Sequence, residues 1–274
     1  MTVDLHMHST CSDGALSPRA LVQRACEQGV SMLALTDHDT LAGIAEAKAE
    51  ADALSIQFIN GIEFSSRWGK IGVHIVGLNM DISGVQLRER VAQQARARRE
   101  RNEIIAQKLD KLGVKNAYER ACALASDEPG RPHFAQLLVE DGLVIDTARA
   151  FKKYLGSGKM GDIRLQWPQI GEIVASIKAA GGVAVLAHPA KYGLTRTKLR
   201  ALVADFAESG GEAMEIISGH QVAGVAQNLT NIAQEFGLLA SQGSDFHRPG
   251  QPWQELGAIA PMPAGIVPVW RNWL

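Results

Sequence analysis

The segment Asp4-Leu5-His6-Met7-His8 sets two imidazoles two residues apart near the start of the chain. In an extended segment, positions i and i+2 share a face, so His6 and His8 point together while Val3, Leu5 and Met7 pack to the other side. Such a pair alone is common on solvated strands; its weight comes from repetition. Asp13 follows in Ser9-Thr10-Cys11-Ser12-Asp13. Further along come Thr36-Asp37-His38-Asp39, Gly61-Ile62-Glu63, His74, His188-Pro189 and a second i, i+2 pair in Ser244-Asp245-Phe246-His247. Imidazole and carboxylate without thiolate suit divalent cations of borderline to hard character, such as zinc, manganese or ferrous iron. One catalytic zinc uses three or four protein ligands. His6, His8, Asp13, His38, Glu63, His74, His188, Asp245 and His247 make nine candidates, enough for two or three ions with a carboxylate bridging a pair. Ions about 3.5 to 4 Å apart can clamp both the attacking and the leaving oxygen of a phosphate ester, so hydrolysis at phosphorus is the chemistry this donor set would support. Three dications against three carboxylates leave roughly +3, which draws an anion into the site.

Regular elements must carry these residues to one edge of a fold. The 274 residues suffice for one to two domains at about 150 residues each. A content of 46% hydrophobic and 21% charged residues is that of an ordinary globular chain and excludes disordered and collagen-like classes. Short β-type runs alternate with helical ones: Val3 to Met7, an amphipathic stretch from Pro18 to Gln28, Met32 to Thr36, a helical AGIAEAKAEADAL after Thr40, Ile56 to Ile62 and Val73 to Leu78. After Pro168 the rhythm resumes with a helix to Ala180, strand Val183 to Ala187, helix Thr197 to Glu208, strand Ala213 to Ile217, helix to Phe236 and strand Leu238 to Ser241. Seven strand candidates separated by helices predict parallel pairing through crossovers, in a closed barrel or an open doubly wound sheet. In either, the C-terminal strand ends gather on one rim, and most of the nine candidates fall at or near such ends.

Between Asp81 and Gln166 helical patterning takes over, with stretches ended by glycine. The reading is an α/β region of residues 1–81 and 167–274 carrying the metal site, and a helical insertion, 82–166, that caps it. From Ser83 to Leu165 there are 16 Lys+Arg and 11 Asp+Glu, so the insertion carries +5 and the remainder −6. The overall charge, 28 minus 29, is −1 and argues against a protein that coats nucleic acid through bulk positive charge; duplex DNA is not an expected partner. No apolar run approaches the roughly 18 residues of a membrane span, and MTVDLHMHST lacks the basic start and apolar stretch of a signal peptide. A cytoplasmic protein without a membrane partner is expected. Cys11, Cys26 and Cys122 are scattered and suggest neither disulfides nor a cysteine zinc site.

Taken in order, HMH, Asp13, TDHD, the glutamate of GIEFS, His74, AHP and SDFH resemble the motifs of the PHP (polymerase and histidinol phosphatase) family, over residues 6 to 247. The resemblance implies a distorted (β/α)7 barrel holding three metals, with manganese the expected ion and zinc or iron the alternatives. It implies that His6, His8, Glu63 and Asp245 hold one metal, Glu63, His74 and His188 a second, and Asp13, His38 and His247 the third, with Glu63 as the bridge. The helical insertion with GRPHFA at 130–135 is similar to the subgroup that removes the 3′-phosphate from nucleoside 3′,5′-bisphosphates and whose relatives trim short RNA from the 5′ end. Arg131 offers a planar fork matched to phosphate, and His133 stands where a helix start also favours anions; together they could hold a second phosphate, or they could be a helix-entry arginine and a capping histidine.

The expected activity is therefore metal-dependent hydrolysis of the 3′-phosphate of a nucleoside 3′,5′-bisphosphate, with His188 or His247 helping to protonate the leaving oxygen and Asp245 beside them. A 5′-3′ exoribonuclease acting on short RNA, a histidinol phosphate phosphatase and a non-catalytic metal or nucleotide binding module are the competing readings. Arg96, Arg98, Arg99 and Arg101 either face an RNA backbone or, interleaved with Glu100 and Glu103, form a solvated helix face with ion pairs; the second is the commoner arrangement. Gly156-Ser157-Gly158-Lys159 lacks the spacing and the Ser or Thr of a phosphate loop, yet Lys159 could reach a substrate phosphate. His220 would line the pocket or belong to its polar rim. Asp37 and Asp39 read as groups that support the ligands or cap a helix. Trp270 and Trp273 would seal a surface or a subunit contact.

Overall fold

In the computed structural model, which describes residues 1–125, 128–164, 166–222 and 224–273, the apolar runs join into one sheet of seven strands in chain order. Leu165, where the basic segment counted above ends, lies outside the described residues. The strands are β1 (Thr2–Asp4), β2 (Val30–Leu35), β3 (Gln57–Trp68), β4 (Ile71–Leu78), β5 (Val183–Leu186), β6 (Ala213–Ser218) and β7 (Leu239–Gly243). Helices α1 (Pro18–Glu27) and α2 (Ile44–Ala53) follow β1 and β2. Helices α3 (Val85–Asp110), α4 (Ala117–Leu124), α5 (Arg131–Glu140) and α6 (Thr147–Ala150), with a π-helical turn Phe151–Leu155, lie between β4 and α7 (Ile170–Ala179). Helices α8 (Arg196–Glu208) and α9 (Val225–Glu235) flank β6. Helix α1 begins where Ser17 Oγ accepts the Ala20 N–H at 3.2 Å and Pro18 takes the first turn, a position in which its missing N–H costs nothing.

The predicted parallel rhythm breaks at one point. The strands β3 and β4 form an antiparallel hairpin turned at Gly69, whose φ is 58°, and β4 is also antiparallel to β5. No helix separates the two runs, so no crossover is available to make them parallel. The consequence is local. The strand β4 delivers His74 from its N-terminal half, opposite Ser65, to the rim that the parallel strands reach at their C-terminal ends.

Strand residues alternate between two environments. Leu33 and Leu35 pack with Leu21 and Val22 of α1 and with Ile44 and Ala47 of α2. Met32 and Ala34 instead meet Val76, Val185 and Ala213 from other strands, together with Val269 and Trp270. A cluster fed by many strands and no barrel helix is the inside of a nearly closed sheet. Trp270 thus belongs to the barrel's own core, with Trp273 partly buried beside it. Val3 and Leu5 join the same inner cluster while Met7 faces the α1 side, so the expected grouping of all three fails. The reason is that β1 stops at Asp4 and the chain beyond it follows an irregular path.

That path closes the barrel. The Leu5 N–H donates to the Gln242 carbonyl at 3.1 Å, the Asp245 N–H to His6 at 2.8 Å and the His8 N–H to Phe246 at 2.9 Å. Glycine is required on this seam, because a Cβ on Gly243 would lie 2.3 Å from His6 Cβ and 2.7 Å from His6 N. Gly243→Ala should destabilise the protein by about 3 kcal/mol, the upper part of the overpacking range. Urea unfolding measures this, and a loss below about 1 kcal/mol would show that the seam has slack.

The helices between β4 and α7 have an apolar cluster of their own, built from residues such as Ile105, Leu109, Phe134, Leu138 and Leu155. Helix α3 is rooted in the barrel by Leu87, a member of the largest barrel cluster, with Val91 packed against it. It then passes over the rim and ends in the insertion's core.

Candidate metal centre and phosphate pocket

Glu63 on β3 sits at the middle of the nine candidates. Its Oε1 lies 2.9 Å from both His74 Nδ1 and His188 Nε2. Its Oε2 lies 3.4 Å from His6 Nε2, 3.4 Å from His8 Nε2 and 2.9 Å from His38 Nδ1. Asp245 Oδ1 is 3.3 Å from His8 Nε2 and 3.6 Å from His6 Nε2. Asp13 reaches His247 Nε2 at 3.4 Å and His38 Nε2 at 3.8 Å. All nine sequence-derived candidates thus meet on one rim. Donor atoms gather in three overlapping groups: His8, Asp13, His38 and His247; His6, His8 and Glu63; His38, Glu63 and His74. Their membership differs from the expected sets because His8 and His38 stand between neighbouring groups, with His188 and Asp245 at the edges.

Among the described residues, seven buried atoms of this set have no hydrogen-bond partner: His6 Nε2, His8 Nδ1 and Nε2, Asp13 Oδ1, His38 Nδ1, Glu63 Oε2 and His188 Nδ1. Each such atom costs about 1–3 kcal/mol if nothing meets it. Of these, His6 Nε2, His8 Nε2, His38 Nδ1 and Glu63 Oε2 face one another, Asp13 Oδ1 faces His247 Nε2, and His188 turns its other nitrogen, Nε2, to Glu63; imidazole and carboxylate so placed fit divalent cations. Electrostatics prepares the carboxylates and His8, while against burial the carboxylates facing His6, His38 and His247 hold those three rings above the ordinary imidazole value, so a cation binds there in place of their protons. Burial works to raise the Glu63 carboxyl, but His74, His38 and His6 outweigh it and hold the group well below the usual carboxylate range. Asp245 and Asp13 are likewise held low against burial, chiefly by His6 and by His247 and His38 respectively. Burial, with the neighbouring His247 and His38, pushes His8 down to about 3, so it stays neutral and able to ligate.

Supporting groups fix these orientations. Glu215, buried on β6, takes His6 Nδ1 at 2.5 Å through Oε1 and the His188 N–H at 2.5 Å through Oε2, so the opposite face of His6 is turned to Glu63. The Tyr192 hydroxyl accepts the His74 N–H at 2.9 Å and donates to the Ala187 carbonyl at 2.8 Å. Lys191 Nζ meets Asp245 Oδ2 at 2.5 Å. Asp37 accepts from the Ser9 N–H at 2.7 Å and from the Ser9 and Ser12 hydroxyls at 2.6 Å, tying down the loop that bears Asp13. Asp39, His188 and Asp245 have φ of 57°, 27° and 55°, values that residues with a Cβ avoid at a cost of about 1–3 kcal/mol each. Glu215 and Tyr192 were not expected from the sequence; an acid in the apolar run Ala213–Ser218 is the signal that could have found the first.

The largest departure concerns α3. Arg98 and Arg101 are not on a solvated face: they are 9% and 5% exposed and line the cavity beside the cluster. Arg98 Nε donates to Asp39 Oδ2 at 3.1 Å, its Nη2 is paired to the same oxygen, and Asp39 also accepts from the Ser65 N–H and Gln94 Nε2, each at 2.7 Å. Arg101 Nε donates to the Ile163 carbonyl at 3.2 Å, and both guanidinium groups lie over the Trp167 ring. Arg99 is exposed as expected, but its partner is Glu128, at 2.6 Å, outside the helix, and not Glu100 or Glu103. The signal lay in spacing: Leu87, Val91, Gln94, Arg98, Arg101, Ile105 and Leu109 recur at intervals of three and four, so the polar members occupy a buried stripe. Asp39→Asn would leave the Arg98 charge without its anion, and breaking such a buried pair costs about 3–5 kcal/mol. A drop of that size in unfolding free energy is expected, with no drop if Arg98 is in fact solvated.

Arg131 at the start of α5 joins them. Its Nη1 donates to the Leu155 carbonyl at 3.3 Å, and the guanidinium lies over Phe151. Burial and the charges of Arg131 and Arg98 push the Arg101 guanidinium well down from its ordinary value, and burial does the same for Arg131. Arginine does not release its proton, so these shifts register an unmet need for an anion. Neither Arg101 nor Arg131 has a carboxylate partner among the ion pairs of the described residues. They line a cavity of about 250 Å³ with Asp13, His38, Glu63, His188 and His247, which opens into a lobe of about 320 Å³.

Three other expectations meet a different geometry. His133 is the capping histidine of the two readings and lies outside the arginine cavity: its Nδ1 accepts the Gly130 N–H at 2.9 Å, and its ring lines a neighbouring groove. Lys159 is exposed in a separate cavity with Arg149, Lys152 and Lys153, because its turn points away from the rim. His220 is exposed in the loop after β6 and lines none of the cavities at the centre. Among the described residues no helix is long and apolar enough to cross a membrane.

A model of the PHP domain matches residues 4–159. The chain is 44% identical, over 98% of each chain, to a protein of Haemophilus influenzae named 5′-3′ exoribonuclease. It is 39% identical, over 98% of this chain and 95% of the other, to a Chromobacterium violaceum protein named 3′,5′-nucleoside bisphosphate phosphatase. A solved structure described as an amidohydrolase from Chromobacterium violaceum, with bound sulfate and no metal, superimposes with a TM-score of 0.92 at 38% identity, covering 99% of this chain and 95% of that one.

Proposed function

Because this chain belongs to the PHP domain family, we propose that it is a metal-dependent phosphoesterase that hydrolyses the 3′-phosphate of nucleoside 3′,5′-bisphosphates to nucleoside 5′-monophosphate and phosphate. The observation that carries this reading is one cavity with two anion-seeking ends: a polydentate metal cluster and the unpaired pair Arg101 and Arg131. A substrate with a single phosphate uses only one end, which disfavours histidinol phosphate. The relative named as a bisphosphate phosphatase supports the same reading.

The metal set we assign is three divalent ions, manganese first, on His6, His8, Glu63 and Asp245; on Glu63, His74 and His188; and on Asp13, His38 and His247. Bound there, they supply positive charge to the phosphoryl oxygens and activate water. The protein's own groups do the rest. Arg101 and Arg131 hold the 5′-phosphate and fix the distance at which the 3′-phosphate enters, while residues 82–166 cap the cleft. His188 and His247 stand at the cavity wall beside the leaving 3′-oxygen, and the Asp245 carbonyl accepts from His247 Nδ1 at 2.9 Å, which keeps Nε2 of that ring for the metal, so the proton for the leaving oxygen comes from water. In the reaction, oxygen from water forms the new bond to phosphorus, the P–O3′ bond breaks, and the 3′-oxygen leaves as a hydroxyl.

A 5′-3′ exoribonuclease breaks the same bond, the phosphorus merely carrying the 5′-oxygen of a further nucleoside. The relative from Haemophilus influenzae favours that as a second activity. Phosphate release from adenosine 3′,5′-bisphosphate should require manganese and vanish with a chelator. No turnover by protein shown to contain metal would overturn the reading.

A further inference from the structure

We propose that a groove on the far side of the metal cluster is the track for the part of an RNA strand that lies 3′ of the cleaved phosphate, a proposal that rests on the phosphoesterase reading above. Asp13 and His247 belong to two cavities at once. One is the 250 Å³ cavity of Arg101 and Arg131; the other is a groove of about 530 Å³ between α5 and the loop after β7. The cluster therefore borders both cavities, and the track we assign runs past it from one to the other. A bisphosphate fills the arginine side and ends at the metals. A strand whose 5′-phosphate sits on Arg101 and Arg131 must continue past the metals; the 320 Å³ lobe, which takes in His74 and His188, is lined by the same two arginines, whereas the groove shares Asp13 and His247 with the cluster and neither arginine.

Its lining suits that occupant. Gln136 of α5 offers its amide oxygen and an N–H beyond the one it gives Glu140 Oε1 at 3.0 Å, tolerant of any base edge or sugar, while Gln254 is held by the Asp245 carbonyl, to which its Nε2 donates at 2.9 Å. Arg248, directly after His247, is exposed and has no carboxylate partner among the described residues; the Gln251 amide oxygen accepts from its Nε at 2.9 Å and its Nη2 at 3.1 Å, holding the guanidinium at the groove where it can meet the next phosphate. Apart from Asp13, a member of the cluster, no carboxylate to repel a polyanion stands in the lining among the described residues. The product strand would keep its 5′-phosphate, so after sliding by one nucleotide it presents the same group to Arg101 and Arg131.

Steady-state kinetics of Arg248→Ala and Gln251→Ala, with adenosine 3′,5′-bisphosphate and a 5′-phosphorylated adenosine trinucleotide as paired substrates, test the proposal. With Arg248→Ala, kcat/KM for the trinucleotide should fall about tenfold, the loss of one charge-assisted contact, while the bisphosphate value stays within about twofold. The salt dependence of trinucleotide turnover should weaken by about 0.7 log units per decade of salt. Gln251→Ala should shift the same ratio in the same direction by a smaller factor. Equal losses on both substrates, or unchanged trinucleotide turnover, would overturn the groove while leaving the phosphatase intact. Wild-type protein that cleaves neither substrate with metal bound overturns the parent reading and the groove together.

Discussion

Glu63→Gln is expected to lower kcat on adenosine 3′,5′-bisphosphate by about 10³- to 10⁴-fold with little change in KM. Both oxygens of this carboxylate are engaged, Oε1 with His74 and His188 and Oε2 near His6, His8 and His38. An amide of the same shape keeps the packing but offers one neutral oxygen in place of two anionic ones, so two ion positions lose a shared ligand. Metal ions contribute several kcal/mol of transition-state charge stabilisation, and about 5 kcal/mol corresponds to that range of rates. Binding of the 5′-phosphate by Arg101 and Arg131 is untouched, which is why KM should hold. Steady-state kinetics with metal content measured on the same sample would decide; activity within tenfold of wild type would show that Glu63 is a packing residue.

Arg101→Met should separate stability from function. The methionine keeps the apolar stem against Trp167 but deletes a buried charge that has no carboxylate partner among the described residues. Losing a contact from a charged donor to phosphate costs about 1.5–3 kcal/mol, so kcat/KM for the 3′,5′-bisphosphate should fall by up to about 10²-fold. Adenosine 3′-monophosphate, which has nothing to place on Arg101, should be hydrolysed as by wild type. The folded protein should become more stable, because burying an uncompensated charge beside Arg98 and Arg131 is unfavourable. Equal losses on the two nucleotides would mean that Arg101 shapes the metal cluster and not the phosphate pocket.

The metal cluster was legible in the sequence because its parts sit where short strands end, and parallel strands must end together. His6, His38, His188 and His247 needed only that rule; Glu63 lies midway along β3, just past the end of its parallel pairing with β2. His74 obeyed it by another route, since β4 runs backwards and brings its N-terminal half to the rim. What was hidden lay in elements whose environment is set by long-range packing. Arg98 and Arg101 look like solvent residues among Glu100 and Glu103 until α3 is laid across the rim, where they are buried. Lys159 carries the right charge on the wrong side of its turn. Glu215 is one residue in an apolar strand, and only the closed barrel shows that it orients His6. Asp37 and Asp39 were expected to support neighbours; the structure shows Asp37 bracing the Asp13 loop and Asp39 anchoring Arg98.

Anomalous diffraction at the manganese edge, from crystals grown with manganese and adenosine 5′-monophosphate plus phosphate, tests the central claim most directly. The account predicts peaks among His6, His8, Asp13, His38, Glu63, His74, His188, Asp245 and His247, with free phosphate at those peaks and the nucleotide's 5′-phosphate on Arg101 and Arg131. Peaks elsewhere, or none among these side chains, would contradict it.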